Sequence, residues 1–505
     1  MFTYNRLFKQ IVHYRDCLPT NIIRIKRFNS TIGANLDGQT IFSLSSGMDH
    51  AGIAVIRISG NDAQNVIPKM TNKVLESIKP RYTYYSNIVH PQTKKLLDKG
   101  VIIYHPAPKS FTGENVVELQ VHGGPAVISS ILNALGTFPN FRQARAGEFT
   151  RRGFLNEKFD LTEVEALGDL LQAETEKQRE QAIAGYTGTI TSLCSQWRTT
   201  LINCLGYIET LIDFSDNTDD LDEKQYQQHG KQLEILYKEI QGYTNNYEKS
   251  EMIRAGIYLP IFGAPNAGKS SLLNLLVHSE RAIVSPYAGT TRDIVEAIGC
   301  IEGFKVIYQD TAGIRNTNNE IEKVGIEKAL SVVQSNHLKI YIIDVQDILH
   351  DSSVLREFKR YIDNQTIVVV NKIDLVEDKE ELSSLLSSLK VQLNCKDVLS
   401  LSCLQKPSID RLESIIYKSI MDEYQMNSED HSIDTNQYIL NQRQNNDLKQ
   451  CLNHIQSSIH IYNDNMVDAV AEELRLALGC LARITGKVDI EEILDSIFSK
   501  FCIGK

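Results

Sequence analysis

Residues 257–270 read Ile257-Tyr-Leu-Pro-Ile-Phe-Gly263-Ala-Pro-Asn266-Ala-Gly268-Lys269-Ser270, and Ser271-Leu-Leu-Asn-Leu-Leu-Val follows directly. An apolar run, a glycine loop and a second apolar-rich stretch predict a strand, a phosphate-binding loop and a helix. The glycines let successive backbone N–H groups converge on phosphate oxygens, and the helix N-terminus adds a favourable dipole. In this reading Gly263, Asn266, Ala267, Gly268 and Ser271 frame the loop. Lys269 reaches the β- and γ-phosphates, and Ser270 offers its hydroxyl to Mg2+. Pro260 falls inside the strand, where it removes a ladder hydrogen bond, so a bulge is expected there.

Three further signals follow in the order such a site requires. Asp310-Thr311-Ala312-Gly313 ends the strand-like run Phe304–Gln309. An aspartate there can hold magnesium through water, and the glycine N–H can meet the γ-phosphate. Asn371-Lys372-Ile373-Asp374 ends the run Thr366–Val370, and Asp374 can accept from the two N–H donors on the edge of guanine. Adenine lacks that donor pair, and rejecting such an analogue is worth about 10⁴-fold or more. Ser402-Cys403-Leu404 closes the run Val398–Leu401, where a backbone N–H can meet the guanine oxygen. Four elements, each at a strand's end, point to a guanine nucleotide. Ile314 stands where a Ras-like enzyme uses glutamine to orient the attacking water. Either hydrolysis is very slow, or another residue and another cation do that work.

Outward from this core, residues 256–420 alternate short apolar strands with helices, which predicts a parallel sheet with crossovers. Leu161 to Ile212 reads as long amphipathic helix, with Leu161, Val164, Leu167, Leu170 and Leu171 on one face. An acidic, turn-rich stretch (Asp213–Glu223) and more helix to Ile253 follow, and helical periodicity returns from Asp447 to Phe501. The expected fold is therefore α/β + α, with an α/β unit (254–422) inserted into a helical domain (157–253 and 423–505) through polar linkers at 242–256 and 421–440. Residues 38–156 read as a separate mixed α/β domain, with strands at Thr40–Leu44, Ala51–Ile58, Gly100–Tyr104 and Val116–Gln120.

Composition narrows the class. The 505 residues are 42% hydrophobic and 23% charged, with mean hydropathy −0.23, which excludes a disordered or fibrous chain. No apolar run is long enough for an integral membrane segment. Nine cysteines without a C-x-x-C fit a reducing compartment rather than a disulfide framework. Residues 1–36 hold six of the 53 basic residues and one of the 63 acidic ones, interleaved with short apolar clusters. That is the pattern of an organellar transit peptide, with a frayed basic tail as the alternative. The remainder keeps 47 basic and 62 acidic residues, a net −15. Such a chain is poorly suited to grip a polyanion alone, so a nucleic-acid substrate would need a partner's surface.

Several segments carry a resemblance. They are Ser110-Phe-Thr-Gly-Glu114, Val117-Glu118-Leu-Gln-Val-His122-Gly-Gly-Pro125, Ala146-Gly-Glu-Phe-Thr-Arg-Arg152, Phe154-Leu-Asn-Glu-Lys158-Phe-Asp160, Ala288-Gly-Thr290-Thr291-Arg-Asp293 and the final Phe501-Cys502-Ile-Gly-Lys505. Together with the nucleotide motifs they resemble the MnmE (TrmE) family of tRNA-modification GTPases in its mitochondrial form, from about residue 39 to Lys505. The resemblance implies a folate-binding, dimerising N-terminal domain, a discontinuous helical domain and an inserted G domain. It also implies a mitochondrial matrix location and a homodimer. A flavin-dependent partner of the MnmG type, which carries the FAD, would help build an aminomethyl-type group on the wobble uridine of mitochondrial tRNA.

The same resemblance implies activation by potassium (K+) when two G domains meet. Asn266 would contribute its side-chain oxygen, Ser285 and Tyr287 backbone carbonyls, and Thr290 the remaining match. A cation at that point neutralises developing charge as an arginine finger does elsewhere. Thr291 matches the switch threonine on Mg2+, and Glu322 matches the glutamate that orients the water. Without the resemblance, Glu322 reads as a solvated helix glutamate. Arg57, Glu118, Lys158 and Lys505 match residues of the family's pocket for a tetrahydrofolate derivative (5-formyl- or methylene-tetrahydrofolate). Arginine or lysine would pair the cofactor's carboxylates and a carboxylate would grip the pterin N–H donors; surface ion pairs are the alternative for Arg57 and Lys158. Upstream of Arg57 the turn Gly47-Met-Asp-His-Ala-Gly52 is bulkier than the family's glycine-rich one.

Cys502 reads as a buried thiol or a group in the modification chemistry, and the residues after it are poor for prenylation. The cluster Arg142, Arg145, Arg151 and Arg152 could meet RNA phosphate or serve as a solvated or dimer-facing patch. Two rival functions use the same residues: a ribosome-assembly GTPase switch, and a folate-dependent methyl-group transferase with a regulatory G domain.

Overall fold

A computed structural model describes residues 38–47, 50–213, 223–277, 295–310, 333, 338–350, 352–376, 379–404, 407–424, 439–462, 466–488, 494, 497–499, 501–502 and 504. The expectations for residues 1–36, Ser285, Tyr287, Thr290, Thr291, Thr311, Ala312, Gly313, Glu322 and Lys505 lie outside the described residues. The chain divides into two compact units, residues 1–159 with 492–505, and residues 160–491.

In the first unit, β1 (Thr40–Leu44), β2 (Ala51–Ser59), α1 (Val66–Met70), β3 (Thr83–Val89), β4 (Leu96–His105), β5 (Val116–Gly123), α2 (Pro125–Leu135), β6 (Phe141–Gln143) and α3 (Glu148–Leu155) follow one another. The six strands form one sheet in the order β3-β4-β5-β2-β1-β6, antiparallel except for β1 with β6. Strand residues alternate, as period 2 demands. Ile56, Ile58, Ile102, Val117 and Leu119 face a core with Ile128, Ile131 and Leu135 of α2. The four expected strands are present; β3 and β6 were not foreseen. Residues 492–505 belong to this unit as well. The Ser45 hydroxyl donates to the Gly504 carbonyl at 2.8 Å, and Gly147 N–H reaches the Cys502 carbonyl at 3.5 Å.

The second unit opens with α4 (Leu161–Gln172), α5 (Glu176–Tyr186), α6 (Thr189–Asp213), α7 (Glu223–Asn245) and α8 (Tyr247–Ala255). The continuous helix expected over 161–212 is thus three helices. Thr175 and Gln178 form a reciprocal capping box that starts α5, and Gly188 at φ +83° separates α5 from α6. The polar linker expected at 242–256 is also corrected: its residues belong to α7 and α8, with Thr244, Ser250, Met252 and Ile253 buried and Gly242, Asn245 and Glu248 exposed. Gly256, at φ +92°, turns the chain into β7 (Ile257–Phe262).

The inserted region then runs α9 (Lys269–Val277), β8 (Val295–Ile301), β9 (Phe304–Asp310), β10 (Lys339–Asp344), α10 (Val345–His350), α11 (Ser352–Phe358), β11 (Thr366–Asn371), α12 (Lys379–Leu393), β12 (Asp397–Ser400) and α13 (Pro407–Glu423). Its sheet order is β12-β11-β10-β7-β9-β8, parallel except at the β8–β9 hairpin. A parallel sheet buried on both faces needs near-continuous apolar strands. All six residues of β11 are buried, alternately serving a core with Leu272 and Leu412 and a core with Phe358. No bulge forms at Pro260: β7 keeps unbroken register with β9, pairing Pro260 with Gln309, and its ladder to β10 begins only at Ile261. Helices α14 (Gln442–Tyr462) and α15 (Val467–Thr485) return to one core with α6 and α7, so the helical domain is discontinuous.

Candidate functional site

Every sheet strand that ends in a motif delivers it to the same edge, because parallel strands carry their C-terminal ends together. There a cavity of about 770 Å³ is lined from Pro265 and Asn266 through Lys269, Ser270, Ser271 and Asp310 to Asn371, Lys372, Asp374 and Ser402–Leu404. The nucleotide motifs read from the sequence, where described, therefore converge.

Two glycines shape the loop by close approach. A Cβ on Gly263 would lie 2.1 Å from the Ile342 carbonyl, and one on Gly268 would lie 2.1 Å from Asn371 Nδ2. Both sit at positive φ, as does Asn266 at +63°. Lys269 opens α9 and is buried; its ammonium donates to the carbonyls of Gly263 (3.1 Å) and Ala264 (2.7 Å). Burial lowers the Lys269 pKa, and the nearby Asp310 opposes that shift.

Ser270 Oγ donates to Asp310 Oδ2 at 2.8 Å, while the buried Asp310 Oδ1 has no hydrogen-bond partner among the described residues. A hydroxyl beside a carboxylate with an unused buried oxygen fits a hydrated divalent cation, whose water can donate to that oxygen. Ser270 and Asp310 would hold Mg2+ there.

At the opposite end, Asn371 ties two loops together. Its Nδ2 donates to the Ala267 carbonyl at 2.9 Å, and its Oδ1 accepts from Cys403 N–H at 3.2 Å. Ser402 Oγ donates to Asp374 Oδ1 at 2.5 Å, and Leu404 N–H to Ser402 Oγ at 3.3 Å. Burial raises the Cys403 thiol pKa, with Asn371 working against it. Lys372 pairs with Asp344 Oδ2 at 2.6 Å. Asp344 escaped the sequence reading. Its only signal is an acid at the end of β10, which the parallel register places beside Asn371.

The N-terminal candidates divide. Arg57 on β2 and Glu118 on β5 are register partners and pair at 3.0 Å, and the guanidinium lies 5.1 Å from the Phe111 ring centroid. Lys158 is exposed and joins neither, and Cys502 is exposed rather than buried. In the arginine cluster, Arg142 grips Glu148 through two bonds (2.8 and 2.6 Å), and the buried Arg152 pairs with Glu114 and Glu148. Burial pushes the Glu148 carboxyl up, yet its bonds to Arg142 and Arg145 and the charge of Arg152 bring it below the usual range. Arg142 and Arg152 thus hold the fold together and are withdrawn as phosphate contacts.

Residues 40–158 match the family described as GTP-binding protein TrmE N-terminus, and residues 161–502 match the MnmE helical domain. The tRNA modification GTPase MnmE of Rickettsia akari is 38% identical over 468 residues, covering 92% of this chain and 100% of that protein. Its counterpart in Rickettsia bellii is 39% identical over 469 residues, with the same coverage.

Proposed function

On the premise that this chain belongs to the MnmE (TrmE) family of tRNA modification GTPases, we propose that its GTP hydrolysis drives wobble-uridine modification of mitochondrial tRNA. The observation that carries the reading is one cavity with phosphate-binding groups at one end and Asp374 at the other. Lys269 exchanges its two carbonyl partners for the β- and γ-phosphates as the nucleotide enters. Asp310 and Ser270 would hold Mg2+, which would supply positive charge against the phosphates. Asp374, steadied by Ser402, accepts from the guanine edge, and Asn371 keeps the phosphate loop and the base loop in step.

The finer reading adds groups that the family uses. Asn266, held in a left-handed turn with its side chain at the cavity, is suited to take K+ together with Ser285, Tyr287 and Thr290. Thr291 would complete the Mg2+ site and Glu322 would orient the water. Two copies would form the homodimer and close their G domains on each other. An FAD-bearing MnmG-type partner would supply the redox chemistry at carbon 5 of the uridine. The Arg57–Glu118 pair, one cation and one carboxylate beside Phe111, suits the carboxylates and N–H donors of a tetrahydrofolate derivative. The basic segment 1–36 precedes the start of the family match at residue 40 and supports import into the matrix. No helix among the described residues is long and apolar enough to cross a membrane.

Mass spectrometry of mitochondrial tRNA nucleosides from a deletion strain tests the reading. The 5-substituted wobble uridine should disappear, return with the wild-type chain, and stay absent with Glu322→Ala. A deletion strain with unaltered wobble uridine would sink it. Equal GTP turnover in potassium and sodium salts would remove the K+ assignment alone.

A further inference from the structure

Residues 69–109 of the first unit hold eight Lys/Arg and two acids, in a chain whose net charge is −10. They surround β3, the edge strand of the sheet. One of the two acids, Asp98, is taken by His122: burial would raise its carboxyl, but two hydrogen bonds from His122 bring it below the ordinary range. Among the described residues, none of the eight basic side chains is ion-paired to a carboxylate. Arg57, Arg142 and Arg152 of the same unit all are.

Aromatic rings accompany the unpaired charges. Tyr82 is 61% exposed and Tyr85 is 70% exposed. Tyr85 pairs with Val101, and Asn87 with Lys99, so Tyr85 and Lys99 stand on one sheet face as diagonal neighbours. The other face carries the buried Ile88 and Ile102. Lys79 lies 5.6 Å from the Tyr82 ring, which steadies the ring while the charge stays exposed. Cations flanking an edge strand, as Lys79 and Arg81 flank β3, also discourage strand-to-strand aggregation. That role does not explain two large exposed tyrosines, which work against it. Arg81 donates only to the neutral Lys109 carbonyl. Cations without a carboxylate partner, together with exposed rings, are the combination that binds single-stranded nucleic acid, phosphates on the cations and bases on the rings.

We propose that the β3 edge is the surface by which this chain itself holds tRNA. Phosphates meet Lys79, Arg81 and Lys99, and unpaired bases stack on Tyr82 and Tyr85. The proposal rests on the tRNA-modification reading and adds a surface of this chain to the one expected from a partner. The test is fluorescence anisotropy of the full-length chain with a labelled, unmodified tRNA transcript across a salt series. Replacing Lys79, Arg81 and Lys99 together by alanine should weaken binding about tenfold or more. It should also lower the slope of log K against log salt by about 2, near 0.7 for each lost single-strand phosphate contact. Tyr85→Ala should weaken binding by about fivefold or more, and Tyr85→Phe should restore it, because stacking uses the ring and not the hydroxyl. GTP turnover should be unchanged in all of them, and a Lys231→Ala/Lys238→Ala control on α7 should bind as wild type does. Unchanged affinity and slope in the triple variant, with wild type binding well, would overturn the surface and leave the family reading intact. A triple variant that binds tRNA normally but changes oligomeric state would assign the face to contact between copies. A wild-type chain with no tRNA affinity would remove this surface too.

Discussion

Lys269, at the start of α9, and Arg57, on β2, are both cations, yet they are held in opposite ways. Lys269 rests on two neutral carbonyls, those of Gly263 and Ala264. Arg57 rests on the carboxylate of Glu118 at 3.0 Å. A phosphate therefore meets a lysine bonded to no carboxylate, beside an Asp310 oxygen that has no hydrogen-bond partner among the described residues. An anion arriving at Arg57 must compete with an ion pair already formed. The nucleotide site is built around its ligand's charge, whereas the charges of Arg57 and Glu118 already cancel each other.

Five measurements sharpen or break that contrast. Lys269→Ala should lower kcat/KM for GTP by about 10³-fold in a phosphate-release assay, the scale of losing a principal electrostatic stabiliser. Arg57→Ala should leave that rate within about twofold, and a large drop would mean that the two sites are not independent. The same Arg57→Ala should weaken 5-formyltetrahydrofolate binding about tenfold by calorimetry, since one charge-assisted bond contributes about 1.5 kcal/mol or more. Unaltered affinity would return Arg57 to the role of a structural partner for Glu118.

Asp344→Asn should reduce fluorescent GDP affinity by about fivefold to tenfold, because Lys372 loses the carboxylate that fixes it at the base end. Asp344→Glu should recover part of this, and no change in either would dismiss the pair. The smallest effect concerns the helical scaffold of the second unit. Asp169 on α4 is pushed up to about 6, mainly by burial, with Arg254 opposing and Glu165 and Glu251 adding. Between its ordinary value of 3.8 and about 6 the folded chain holds a proton that the unfolded chain has released, so stability falls as pH rises through that window. Urea midpoints should show that slope, and Asp169→Asn should flatten it.

The nucleotide site was legible because each motif is a run of consecutive residues at a strand end, and the strand is legible from its apolar run. What lay hidden depends on register. The β10–β11 ladder sets Asp344 beside Asn371, and the β2–β5 ladder sets Arg57 against Glu118. Neither pairing is written in a local pattern. The break at Thr175 was readable, since Thr175 and Gln178 stand at capping-box spacing. It was missed because the apolar stripe of α4 was carried on across α5, whose buried face is Gln178, Gln181, Ala182 and Ala184 and holds no large apolar residue. The polar stretch 242–256 misled for the converse reason, as half-exposed helices are polar on one side. Strand β3, Thr83-Tyr-Tyr-Ser-Asn-Ile-Val89, was passed over because the residues on its open face are not apolar enough to signal a strand.

The return of residues 492–505 to the first unit has a bearing on synthesis. Gly147 has no room for a side chain against Phe498, and Gly504 has none against Leu44. The sheet that leaves the ribosome first thus cannot acquire its last neighbours until all of residues 160–491 have been translated. A premature stop anywhere downstream damages the amino-terminal domain as surely as a lesion within it. A bulky fusion joined after Gly504 would bring its added mass to the same place.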